Sequence, residues 1–496
     1  MPDQISRKQI NLLFFSVAVS LISYGYYLTN FTITIDSEVP FDKSMSLDLG
    51  RWGTNLITYQ VFHGITPYFT LLLSLILLSA SSVILARMFR FKSYTAYAFC
   101  ALFITFPQMA YQLYFSMQSV AVTLSFVLSA CAVMLFNNAI KRGLSKISAA
   151  IFIASALLIM CVIAIYQALV FIPVVIYLVM LFQNTYRDDF SFKYQLRVTL
   201  LFGLLMVTGL GFYLLSLPVL CPNLGKGGYL ASYASGNTDS RFVDFYNIVV
   251  DNIRGDYFYG DKAFIFASVL CIATLVFSFI KDRKTFWPRA LVMLFLLVVP
   301  FLISLFITGL GYYHPPRIYV TSGIVFAFFI AHFLSQIKFY QVYYTGVFVV
   351  VMLNIYFITR LYVSHQQIYN SDYTTVYKID DRIRALYPDF DPGRDYVYFY
   401  GKVSDNNFKK FRLENSEIFS GSILQWDGGN NYRINGFINY TGVANYKIID
   451  NKESYLYVKD SIAEMAVWPK PNSVKRMGNV VVVKLGNQKG SALWVE

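Results

Sequence analysis

The sequence predicts a polytopic α-helical membrane protein of about eleven spans, followed by a small C-terminal α/β domain. Three observations carry this expectation. Of 496 residues, 56% are hydrophobic and 14% charged, which is too apolar for one soluble globule. Apolar runs of roughly 20 residues recur, long enough to cross a hydrocarbon core of about 30 Å as helices. Beyond residue 361 the composition changes to the mixed type of a separate domain.

The spans are expected near residues 10–29, 67–86, 94–107, 116–136, 148–166, 168–183, 198–218, 263–280, 290–310, 318–336 and 341–361. Arg7 and Lys8 precede the first run, as in a signal peptide. No small-residue cleavage site follows them, so the run is read as a retained helix. The third run is short, and the pair at 148–183 reverses around Tyr166 and Gln167. Lys and Arg gather in alternate loops, among them Arg87, Arg90 and Lys92; Lys141, Arg142 and Lys146; and Lys281, Arg283, Lys284 and Arg289. The positive-inside rule then sets the N-terminus in the cytoplasm, and an odd number of spans sets the C-terminus on the far side. This distribution accounts for the net charge of +13 without a nucleic-acid partner. Cys100, Cys131, Cys161 and Cys271 fall in apolar stretches and Cys221 near a span end; no metal-ligand spacing links them, so they read as buried thiols.

The organisation follows: a membrane domain over 1–361 with external loops at 30–66 and 219–262, and an extracytoplasmic domain over 362–496. In that domain residues 366–387 have helical periodicity, with Ile368, Tyr373, Val376, Ile379, Ile383 and Leu386 on one face. Residues 395–400 and 478–485 read as buried strands.

The candidate chemistry begins at Phe31–Glu38 (FTITIDSE), just past the first span. In an extended segment residues two apart share a face, so Thr32, Thr34, Asp36 and Glu38 are expected on one side and Phe31, Ile33 and Ile35 on the other. Two carboxylates then point one way beside apolar walls. Such walls raise a carboxylate's pKa toward the range that suits a general base, with the second acid orienting it or binding substrate. The bland alternative is a solvated, helix-capping loop. Next comes Asp48-Leu49-Gly50-Arg51-Trp52, where Gly50 permits a tight turn and Trp52, Leu56 and Tyr59 share a face of an interfacial helix. Arg51 there is suited either to an acid of the loop or to a phosphate. The external turn Gly311-Tyr312-Tyr313-His314-Pro315-Pro316-Arg317 is expected to present His314 and Arg317 at the lipid surface, where a lipid phosphate is bound or an arginine simply snorkels. The loop at 219–262, with Lys226, Asp239, Arg241 and Asp244 among its charges, suits a cover over a polar ligand.

The acids of the first external loop, the many spans and the C-terminal extracytoplasmic domain resemble the GT-C class of glycosyltransferases. More narrowly, in Ile35-Asp36-Ser37-Glu38, Asp48-Leu49-Gly50-Arg51-Trp52 and the ending Val467-Trp468-Pro469 with Val480-Val481-Val482-Val483-Lys484-Leu485, the chain resembles the serotype-converting O-antigen glucosyltransferases of temperate phages. The resemblance implies an enzyme of the bacterial inner membrane. It implies glucose transfer from undecaprenyl-phosphate-glucose to a hydroxyl of a lipid-linked O-antigen repeat unit, at the periplasmic face and with inversion. It implies a donor-making synthase and a flippase as associated activities, and no cofactor beyond the lipid-linked substrate. In that frame Asp36 is the expected base and Glu38 its helper; Asp48, Arg51, His314 and Arg317 are the expected substrate and phosphate ligands, and no metal ligands are assigned. A transporter of a polyprenyl-linked sugar is the runner-up, but it predicts ionisable groups at mid-span, and these are scarce. An O-antigen polymerase ranks third, because acids rather than arginines dominate the first loop.

Overall fold

The computed structural model describes residues 7–38, 43–143, 145–225, 240–281, 285–307, 313–336, 340–404, 408–449 and 452–487. Among them nine helices are long and apolar enough to cross a membrane, the first Arg7–Thr29 and the last within Tyr343–Leu386. Two further apolar helices, Tyr94–Thr105 and Ser322–Ser335, are shorter. Within the described residues each expected apolar run contains a helix, although two of the eleven fall short of the length of a full span. The chain divides into two compact units, one comprising residues 1–31 and 42–359, the other residues 32–41 and 360–496.

Small residues let the helices of the first unit pack closely, as lipid-exposed bundles require. Ser20 on Arg7–Thr29 and Ser79 on Phe69–Met88 share a 2.8 Å hydrogen bond, while Ser16 and Ser23 return theirs to Leu12 and Val19. At Gly209 an added Cβ would lie 2.6 Å from Ile159, so Phe192–Leu220 and Lys146–Ile165 approach too closely for any side chain there. Among the described residues of the first unit the backbone departs from regular α-helix at the π turn Leu56–Val61 and at the 3-10 turns Gln167–Val170, Asp261–Ala263, Val299–Leu305 and Pro316–Tyr319. Non-helical backbone in such a protein needs partners within the protein. The Thr54 hydroxyl donates to the Ile165 carbonyl at 2.6 Å and Thr58 to that of Met117 at 2.6 Å, each meeting a carbonyl near a helix terminus.

The second unit is built on a four-stranded sheet ordered β2-β1-β4-β3, with β1 Tyr396–Tyr400, β2 Lys447–Ile448, β3 Val474–Met477 and β4 Val480–Lys484. β1 runs parallel to β2 and β4, and β3 closes an antiparallel hairpin with β4. Both faces are covered, which explains the unbroken valine run. Val481 and Val483 pack with Ile368, Val376, Ile379 and Ile383 of the helix Tyr340–Leu386 and with Ile434 and Phe437 of Asn431–Tyr440. Val480 and Val482 pack with Tyr455, Val458 and Ile462 of Lys452–Glu464. The buried Lys484 ammonium donates at 2.9 Å to the carbonyls of Ile462 and Met465, closing that helix's C-terminus.

Two expectations change here. The last span and the 366–387 helix are one continuous helix, Tyr340–Leu386, since neither Pro nor Gly interrupts it after Gly346. Of the apolar face expected on its second half, Tyr373 and Leu386 are exposed rather than in the core. At about 100° per residue Ile368, Val376, Ile379 and Ile383 share one narrow buried stripe, whereas Tyr373 falls outside it and Leu386 is the last residue of the helix.

Candidate functional site

The segment that carries Asp36 and Glu38 is not extended. Ser37 N–H donates to the Thr34 carbonyl at 3.0 Å, the two hydroxyls meet at 2.9 Å, and Asp36 adopts φ +71°. A non-glycine residue in this region costs on the order of 1–3 kcal/mol and is held there by its surroundings. The alternating pattern also fails in burial: Thr32, Ile33, Thr34, Ile35 and Glu38 are all buried. The carboxylates do converge, but through a turn rather than a strand.

What they converge on is Arg433. Its Nη2 donates to Asp36 at 3.0 Å, its Nη1 to Glu38 Oε1 at 2.5 Å and its Nε to Asp427 at 2.6 Å. All four residues belong to the second unit. Arg433 is set in the first turn of Asn431–Tyr440, a helix whose N-cap Asn430 accepts from the N–H groups of Tyr432 and Arg433. That helix is registered to the sheet by Asn431, whose amide accepts from Phe399 N–H at 2.7 Å and donates to Phe399 carbonyl at 2.8 Å. The loop before it is tied down by the buried Asp372, which accepts from Ser422 hydroxyl at 2.7 Å and Ile423 N–H at 2.8 Å.

The two acids differ in environment. The Glu38 side chain has no exposed surface, whereas that of Asp36 is 35% exposed. Burial pushes the Glu38 carboxyl up to about 7, the Arg433 charge and hydrogen bond offsetting only part of that. Glu38 Oε2 is buried and has no hydrogen-bond partner among the described residues. A buried, unpaired carboxylate oxygen costs free energy in the resting protein and is an acceptor in waiting.

The first unit holds the candidate phosphate ligands. Gly50 turns at φ +73°, where a Cβ would meet the Tyr213 hydroxyl at 2.7 Å. Gln167 donates to the Leu49 carbonyl at 2.7 Å and to Tyr213 at 3.1 Å, fixing the Asp48–Trp52 segment. Arg51 then donates to Gln167 Oε1 at 3.3 Å and lies 4.5 Å from the centre of the Tyr166 ring. Asp48 leaves Oδ1 buried without a partner among the described residues. Trp52 donates to Ser216 at 3.0 Å, so it is tied to the bundle.

His314 does not reach a lipid surface. It is 1% exposed; its ring meets the Tyr319 hydroxyl at 2.9 Å and its N–H donates to Tyr257 at 2.6 Å. Tyr257 is in turn held by Asp261, which accepts from the N–H groups of Tyr257 and Phe258 at 2.6 and 2.9 Å. His314 leads into the 3-10 turn Pro316–Tyr319, whose Pro316, Ile318 and Tyr319 are buried, where the sequence suggested an exposed turn. Arg317 stacks 4.2 Å from the centre of the Phe115 ring. Gly311, Tyr312, Lys226 and Asp239 lie outside the described residues.

Sequence reasoning missed Arg433 and Asp427. The stretch Gln425–Asn430 (QWDGGN) has the composition of a turn, and Asn430 that of a helix cap, so the start of the Arg433 helix was legible. Its partners Asp36 and Glu38 lie 397 and 395 positions away, and no local pattern links them.

The chain belongs to the GtrII glucosyltransferase family: the profile of the family described as Glucosyl transferase GtrII matches residues 25–331, more than half of the chain. This agrees with the resemblance to phage-type serotype-converting glucosyltransferases. The matched region contains Asp36, Glu38, Asp48, Arg51, His314 and Arg317 but ends before Asp427 and Arg433. No curated protein and no solved structure matches the chain.

Proposed function

We propose that the protein transfers glucose from undecaprenyl-phosphate-glucose to a hydroxyl of the lipid-linked O-antigen repeat unit, at the periplasmic face of the inner membrane and with inversion. The observation that carries the reading is Glu38: buried, raised to about 7, with Oε2 lacking a partner among the described residues. Glu38 therefore takes the role of base that the sequence suggested for Asp36, and Asp36 shares its counter-ion. The acceptor hydroxyl gives its proton to Oε2, its oxygen bonds to the anomeric carbon, and the bond from that carbon to the phosphate oxygen breaks with its electron pair on the phosphate. Arg51 and Arg317 are the proposed stabilisers of the departing phosphate, which needs no strong acid when cations neutralise it. His314 and Asp48 support them, His314 by ordering the segment that carries Arg317. No metal or cofactor is required by this scheme.

The test is transfer in membrane vesicles from labelled undecaprenyl-phosphate-glucose to a lipid-linked O-antigen acceptor. Wild type is expected to transfer, and Glu38→Gln to lose at least about a hundredfold. Wild-type turnover in Glu38→Gln, or none in the wild type with both substrates intact, overturns the reading.

A further inference from the structure

The mechanism above uses Glu38 but leaves unexplained the residue that holds it. Arg433 spends all three of its donor directions on carboxylates, Asp36, Glu38 and Asp427. With three acids around one guanidinium the cluster is formally two charges negative, so it repels a phosphate and is unsuited to the donor's anionic group. Its arrangement serves another end. By engaging Oε1, Arg433 fixes the Glu38 carboxylate on one side, and the other oxygen, Oε2, is buried with no partner among the described residues. The guanidinium is itself held by Asp427 at its Nε, by the cap at Asn430 and by the Asn431 clamp on Phe399. These contacts give the rigid backing that an acid-base group needs.

We propose that Arg433 is the positioning residue of the transfer reaction: its fork pins Glu38 through Oε1 so that Oε2 faces the acceptor hydroxyl. The inference rests on the function proposed above. It adds that the region beyond the family match supplies a part of the catalytic apparatus, and not only a support. The charged groups facing Glu38 are Arg433 from the helix Asn431–Tyr440 and Asp36 from its own segment, with Asp427 reaching it through Arg433. Of these only Arg433 favours the ionised form of Glu38. Removing it leaves burial and the Asp36 charge opposed only by a backbone hydrogen bond of the Glu38 segment, so the Glu38 proton is held to higher pH.

The experiment compares full-length wild type, Arg433→Gln and Arg433→Lys in lipid nanodiscs. It measures kcat and KM against pH with undecaprenyl-phosphate-glucose and a lipid-linked O-antigen acceptor. In parallel, the carboxyl stretch of ¹³C-glutamate-labelled protein is titrated by infrared spectroscopy, with Glu38→Gln locating the Glu38 band. For Arg433→Gln the acidic limb of kcat is expected to move up by about one pH unit or more, the shift an opposite charge at this range produces. The protonated Glu38 band should persist to the same higher pH, and kcat at neutral pH should fall about tenfold or more, with donor KM changed less than about twofold. Arg433→Lys keeps the charge and loses the fork, so it is expected to keep the limb near its wild-type position while kcat stays several-fold low.

An unchanged limb and an unchanged Glu38 titration in Arg433→Gln overturn the inference. So does wild-type kcat in Arg433→Lys. If Arg433→Gln does not fold, Arg433→Lys decides through kcat. If the wild type transfers no glucose, the proposed function fails instead, and the infrared titration still decides whether Arg433 controls Glu38.

Discussion

Two arginines, one in each unit of this protein, do opposite work. In the first, Arg51 leans on the face of Tyr166 and on an amide oxygen of Gln167, partners that carry no charge. In the second, Arg433 meets three carboxylates. The first arrangement orients a guanidinium and leaves its charge available to an anion; the second uses up the charge to control acids. The difference teaches that residue type does not assign a role here, because the surrounding charge decides whether an arginine binds or positions. An aromatic face holds a cation without neutralising it, whereas a carboxylate does both.

The comparison breaks most severely at Glu38. Beyond the loss of turnover in Glu38→Gln, the wild-type rate should rise with pH through about 7, since the raised carboxyl must be ionised to accept a proton. A pH–rate profile of kcat/KM checks the sign; a rate flat from pH 5 to 9 contradicts it. Next in size is Arg51→Ala. If its uncancelled charge serves the donor phosphate, donor affinity should weaken about tenfold, or ~1.4 kcal/mol, with the pH profile unmoved. Binding of a non-transferable undecaprenyl phosphate measures this directly. A shifted pH profile with unchanged affinity would mean that Arg51 acts on the base instead, and the contrast between the units would collapse.

Asn431→Ala comes third. It removes both hydrogen bonds that clamp the Arg433 helix to β1 and should cost the second unit ~1–3 kcal/mol. Hydrogen exchange at the Phe399 amide reads the loss, which should spare the helices of the first unit. Smallest is Asp427→Asn. Its carboxylate is 48% exposed, so the pairing with Arg433 should be worth under ~1 kcal/mol, and transfer should fall by less than about threefold. A larger loss at Asp427 than at Arg51 would reverse the ranking of the two centres.

The sequence by itself determined the parts of this protein that depend on nearest neighbours. Apolar runs become helices because a buried backbone must satisfy its own hydrogen bonds, and that requirement is local. The valine run at 480–483 announced a strand covered on both faces, and Gly50 announced a turn, which it makes at φ +73° where a Cβ would meet the Tyr213 hydroxyl at 2.7 Å. The acid pair beyond the first span was also legible, because carboxylates beside an apolar run stand out against the cost of desolvating them.

Tertiary structure decided the rest. Whether Asp36 and Glu38 converge by strand or by turn depended on the Thr34–Ser37 hydrogen bond and on Arg433, which arrives from nearly 400 positions away. Whether His314 meets lipid or protein depended on Tyr257 and Tyr319 closing over it. The upward shift of the Glu38 carboxyl depended on burial, a property of everything packed around it. Coulombic and desolvation energies sum over surroundings in space, and surroundings in space are what a linear pattern leaves undetermined.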